Sequence, residues 1–171
     1  MSIADSLLPE FDQEMASTRK ALERVPSEKG AWKPHPKSFP LGHLAQLVAR
    51  MPEWLVFTLK QTELDLNPPA GENKYPGYSL ETTETLLRTF DDNVKRARAA
   101  IADASDDDLT VPWSLKSGGN VLVTMPRSAM LRQTINHLIH HRGQLTVYLR
   151  LVDVPVPSIY GPTADENPWA G

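Results

Sequence analysis

The sequence predicts an all-α protein built as a four-helix bundle. Four long stretches bring apolar residues back every three or four positions, and alternating, strand-like segments are scarce. Proline- and glycine-marked connections separate the four stretches. A chain of 171 residues without a single cysteine must hold itself together by burying apolar surface, and it is long enough to do so.

The first helix is read from Ile3, Leu7, Leu8, Phe11, Met15, Leu22 and Val25, with Pro26 as its stop. The second runs from about Leu41 to Leu59 on a stripe of Leu44, Leu47, Val48, Met51, Trp54 and Leu55. Pro52 lies inside it, removes a backbone donor and is expected to kink or split the helix near Ala49 to Met51. The third spans roughly Ser79 to Ala104, with Ser79 as N-cap, Glu81 in the first turn, and Leu80, Leu86, Phe90, Val94, Ala97 and Ile101 on one side. The fourth runs from about Pro126 to Leu151, with Met130, Leu131, Ile135, Leu138, Leu145 and Leu149 as its apolar face.

Between these, Asn67-Pro68-Pro69-Ala70-Gly71 opens a polar loop that ends near Gly77-Tyr78. Ser117-Gly118-Gly119-Asn120 lies between Leu109–Trp113 and Val121–Met125, which predicts a short hairpin or ordered loop before the last helix. Asp106-Asp107-Asp108 reads as a solvated helix end or loop. The division expected is a bundle over 1–151 and an extended tail over 152–171, rich in proline (Pro155, Pro157, Pro162, Pro168), packing on the same domain.

Charge and hydropathy exclude several partners. A net charge of −3 with both signs interspersed gives no basic face for nucleic acid. No apolar run approaches the roughly 20 residues that cross a bilayer, and no signal segment opens the chain, so the expected location is the cytoplasm.

Chemistry is expected in the last helix. Asn136-His137-Leu138-Ile139-His140-His141-Arg142-Gly143-Gln144 holds three of the five histidines. Residues i and i+4 stack on one helical face, so His137 and His141 can converge on one metal ion. His140 points about 60° to the other side of His137. His43 lies at the edge of the buried stripe of the second helix, and His35, between two prolines, reads as a loop residue. Arg142 borders the apolar face and can pair with a carboxylate there as a structural feature or with an acidic substrate, the structural role being the expectation. No nucleophile elbow, phosphate loop or dinucleotide motif is present, and no catalytic side chain is assigned.

The run from Asn136 to Leu145, followed by Tyr148-Leu149-Arg150, resembles the last helix of the DinB/YfiT-like family. Trp32-Lys33-Pro34, the entry Pro40-Leu41-Gly42 and the ending Pro155-Val156-Pro157-Ser158-Ile159-Tyr160-Gly161-Pro162 resemble it as well. The resemblance implies an up-down-down-up bundle, commonly a homodimer, holding a divalent metal, zinc or nickel, on three histidines. Two of these match His137 and His141. The third comes from a Leu-Gly-x-Leu-Ala-x-His pattern whose histidine falls on Leu47 here, leaving His43, one turn earlier, as the substitute.

The resemblance further implies a metal-dependent hydrolase or transferase, in particular a thiol-dependent S-transferase acting on a small molecule. The alternative is a metal-free bundle that binds a small ligand or pairs with itself.

Overall fold

Residues 2–69 and 77–169 are described by the computed structural model. Helix α1 (Ile3–Glu23) starts where a helix can satisfy its first donors. The Ser2 hydroxyl accepts from the Asp5 N–H and the Asp5 carboxylate returns the bond, while Asp106 accepts the N–H of Ile3 at 2.7 Å. Helix α2 (Leu41–Lys60) follows after a single 3₁₀ turn, Ser27–Lys29. It passes Pro52 without the expected split. Pro52 is buried in the helix interior, and the buried Asn93 donates to the neighbouring Ala49 carbonyl at 3.4 Å.

Helix α3 (Thr83–Ala102) begins three residues later than its sequence predicts, with Thr82 rather than Ser79 as the N-cap, accepting from the Thr85 N–H. Ser79, the expected cap, is engaged elsewhere: its N–H donates to the Gln46 side chain, whose amide donates back to Ser79. Both residues can cap a helix, and a tertiary contact chooses between them. Of the polar loop before it, residues 70–76 lie outside the described residues. The three aspartates form the first turn of a short helix, α4 (Asp106–Thr110), with Ser105 and Asp108 closing a capping box. Helix α5 (Arg127–Leu151) is the longest.

The chain is not all-α. Among the described residues, a three-stranded mixed sheet accompanies five α-helices. Strands β2 (Pro112–Ser117) and β3 (Asn120–Pro126) form the hairpin around Gly118 and Gly119, both at positive φ, the backbone that two-residue hairpin turns require. Strand β1 (Glu63–Asp65) pairs in parallel with β2 through Leu64 opposite Leu115. Its end is fastened by Asp65, whose carboxylate accepts from the N–H groups of Asn67, Gly118 and Gly119 at 2.7–2.9 Å. Those bonds hold its pKa below the usual carboxylate value. A three-residue strand paired across some fifty positions of sequence leaves no periodic trace, so reading the sequence as all-α misses it.

Around the core, α1 packs on α3 and α5, α2 packs on α3 and α5, and α1 and α2 lie across the bundle from one another. Phe11, Leu22, Leu44, Met51, Leu55, Phe90, Ile101, Leu138 and Leu145 fill the space between them. No described helix is long and apolar enough to cross a membrane. The tail leaves α5 through Asp153 in the left-handed region and is fixed by polar contacts: Arg24 to Glu166 at 2.6 Å, Arg150 to Asp165, and Lys29 to the Val152 carbonyl.

Arg142 is the largest fully buried side chain among the described residues, at 2% exposure. It forms an ion pair with Glu14 of α1 at 2.7 Å and donates to the Glu14 carbonyl and the Tyr160 hydroxyl. That hydroxyl donates in turn to Glu14 at 2.8 Å. Removing one partner of a buried pair strands the other charge. Glu14→Ala is therefore expected to lower unfolding free energy by roughly 3–5 kcal/mol, and Tyr160→Phe by about 1 kcal/mol, both read by urea denaturation.

Candidate functional site

The polar centre is the face that α5 turns toward α2. His137 and His141, one turn apart, direct their Nε2 atoms at each other at 2.9 Å, with ring centroids 4.6 Å apart. On the far side of His141, Nδ1 lies 2.8 Å from the Gln144 carbonyl oxygen. That oxygen can only accept, so Nδ1 carries the proton and the Nε2 lone pair of His141 faces His137. The Gln144 amide nitrogen donates to Nε2 of His140 at 3.1 Å, so one side chain orders both neighbouring imidazoles.

Two nitrogens about 2.1 Å from one tetrahedral zinc stand about 3.4 Å apart. The observed 2.9 Å is the length of an N–H···N hydrogen bond with His137 as donor, and a tetrahedral ion between the two rings would part them by about half an ångström.

Packing around them pushes the pKa of both histidines below the ordinary value of 6.5. At His137 the neighbouring His141 and His140 add to the effect. At His141 the bond to Gln144 opposes it. Trp54 of α2 lies against His137, ring centroids 5.9 Å apart.

His43 does not join the pair. It stacks on Tyr78 with centroids 4.7 Å apart, and Phe39 leans on it at 4.4 Å. Burial, then the charges of Arg50 and Lys33, lower its pKa. It lines a cavity of about 350 Å³ together with Gln46, Leu47, Arg50 and Trp54. Leu47, at the position where the resemblance puts a histidine, is half-buried against the core. Among the described residues, no group of three His, Cys, Asp or Glu side chains converges as a metal site. His35 sits in an exposed turn, its Nδ1 accepting from the Lys37 N–H.

A second space beside the pair has no sign in the sequence. A cavity of about 230 Å³ opens between α2, α5 and the sheet, with Trp54, Leu64, Trp113, Leu115, Met130 and His137 on its walls. Gln144 was legible in principle, standing three residues after His141 and hence on its face. The cavity was not, because two of its walls come from the sheet.

This architecture can be compared with known proteins. The sequence profile of the DinB family matches residues 1–169. The chain belongs to the DinB family. The uncharacterized protein YrdA of Bacillus subtilis (strain 168) is similar to it, 27% identical over 166 residues, which are 97% of this chain and 92% of that protein. A crystal structure of a DinB-like protein from Bacillus cereus ATCC 10987 superposes with a TM-score of 0.70 at 26% identity, covering 91% of this chain and 97% of that one. The DinB-like protein YjoA of Bacillus subtilis, at 17% identity, shares the fold with a TM-score of 0.68 over 90% of this chain and 97% of its own.

The lowered histidine pKa values carry a sign. The unfolded chain takes up protons near pH 6.5 that the folded chain resists, so stability is full above that value. It declines as pH falls from 6.5 toward the folded values, and levels off below them. In chelator-treated protein, NMR titration is expected to place the midpoints of His43, His137 and His141 below 6.5. His137→Ala should flatten the acid slope of thermal stability, and an unchanged slope would refute the assignment.

Proposed function

We propose that this DinB-family chain is a metal-dependent enzyme that transfers a small thiol to an electrophile, with His137 and His141 holding the divalent cation. The convergence of their two Nε2 atoms at 2.9 Å, beside a cavity, carries the reading. Imidazole donors suit zinc or nickel. When bound, such a cation stabilises a thiolate that would otherwise be mostly protonated at neutral pH.

The chain's own contribution is positional. Gln144 fixes the tautomer of His141 and so keeps one lone pair aimed inward. Trp54 supports the outer edge of His137. With two protein ligands, the other coordination positions remain for water, thiol or substrate, as a catalytic rather than a structural centre needs. The chain has no cysteine, so the thiol would come from outside.

One observation favours a second reading, a metal-free bundle that binds a small ligand or pairs with itself. Leu47 stands where the resemblance places the third histidine, and no third ligand approaches among the described residues. The pair would then be held by its hydrogen bond alone.

Elemental analysis of untagged protein separates the two. The enzyme reading expects about one metal per chain, lost in His137→Ala, and a rise in thermal midpoint when zinc is returned to chelator-treated protein. No metal in the native chain, with binding gained by Leu47→His, would establish the second reading instead.

A further inference from the structure

The cavity beside His137 has a chemical character that narrows what can occupy it. Along β2, Trp113 and Leu115 are two residues apart and so share one face of the sheet. Leu64 stands opposite Leu115 in the neighbouring strand and continues that face. Across from it, Trp54 comes from α2 and Met130 from α5, so the enclosed surface is almost wholly hydrocarbon and aromatic. Apart from His137, no acidic or basic side chain is among the described residues that line it. The polar part of the lining is Thr58, Gln133, Thr134 and Trp113, whose buried Nε1 has no partner, and all of these are neutral. A charged group placed there would lose its water and meet no counter-charge, a cost that exceeds what dispersion contacts return. Size is limiting too. A dry apolar cavity of about 150 Å³ accommodates benzene, so about 230 Å³ admits one ring with a short substituent.

We infer that this cavity receives a neutral, apolar group of about the size of a substituted benzene ring and holds it against His137. The inference deepens the transferase reading and rests on it only for the claim that this group belongs to the electrophile. A molecule so seated presents one end to the imidazole pair while its body is screened from water by Trp54 and Trp113.

Calorimetric titration tests it, using wild-type chain in excess EDTA, so that binding is read without any cation. Ethylbenzene is expected to bind saturably with a stoichiometry of one. Benzoate and benzylammonium, of similar shape but charged, are expected to bind at least about tenfold more weakly. Leu64→Trp, which fills the sheet-side wall, should weaken ethylbenzene at least about fivefold. If that variant loses the wild-type circular dichroism, Leu66→Trp, at the more exposed rim, takes its place. Absent or non-saturable ethylbenzene binding would overturn the inference. So would equal affinity for the charged probes, or affinity untouched by the folded filling variant. Metal retained without ethylbenzene binding overturns this inference alone; ethylbenzene bound by a chain that never carries metal leaves it standing and removes only the thiol-transfer reading.

Discussion

An arginine and a glutamate facing each other in the interior orient the rest of the molecule. Either of Arg142 and Glu14 without the other would be an uncompensated charge in the interior. Their pairing ties α5 to α1 at one fixed rotation and height. On an ideal helix Arg142 stands about 100° around from His141. Fixing Arg142 against α1 therefore leaves His141 and His137 turned away from α1, on the side where Trp54 of α2 waits. The same pair also holds the tail, because Tyr160 bridges both charges. A polar contact thus sets a direction that the surrounding leucines, being interchangeable in shape and free of directionality, could not set by themselves.

From that direction the character of the site follows. The two imidazoles meet edge to edge where apolar walls begin, with one glutamine fixing which nitrogen carries the proton. His43 belongs to a separate aromatic stack with Phe39 and Tyr78, one turn from the position that would have brought it to the pair. Leu47, one turn further on, is half-buried against the core and lines the same cavity as His43. The centre is consequently sparse in protein ligands and rich in neighbouring apolar surface.

Much of this was legible in the sequence, for identifiable reasons. The helices announce themselves because their apolar residues recur with the helical period, and the spacing of His137 and His141 translates directly into proximity. Gly118 and Gly119 announce the hairpin because only such residues accept its turn cheaply. What escaped is whatever depends on distant partners. Strand β1 is three residues long and exists through β2 and the Asp65 clamp on the hairpin turn. The start of α3 is decided by Gln46 holding Ser79. Arg142 was recognisable at the border of the apolar face, but nothing near it in sequence points to its full burial or to Glu14 and Tyr160. The cavity needs all of these non-local pairings at once, so it had no local signature.

Trp54 belongs to the walls of two spaces, the apolar cavity beside His137 and the cavity that contains His43 and Arg50. Trp54 is thus a wall of both chambers as well as the support of His137, so a change at this one side chain is felt at the pair and in both spaces at once.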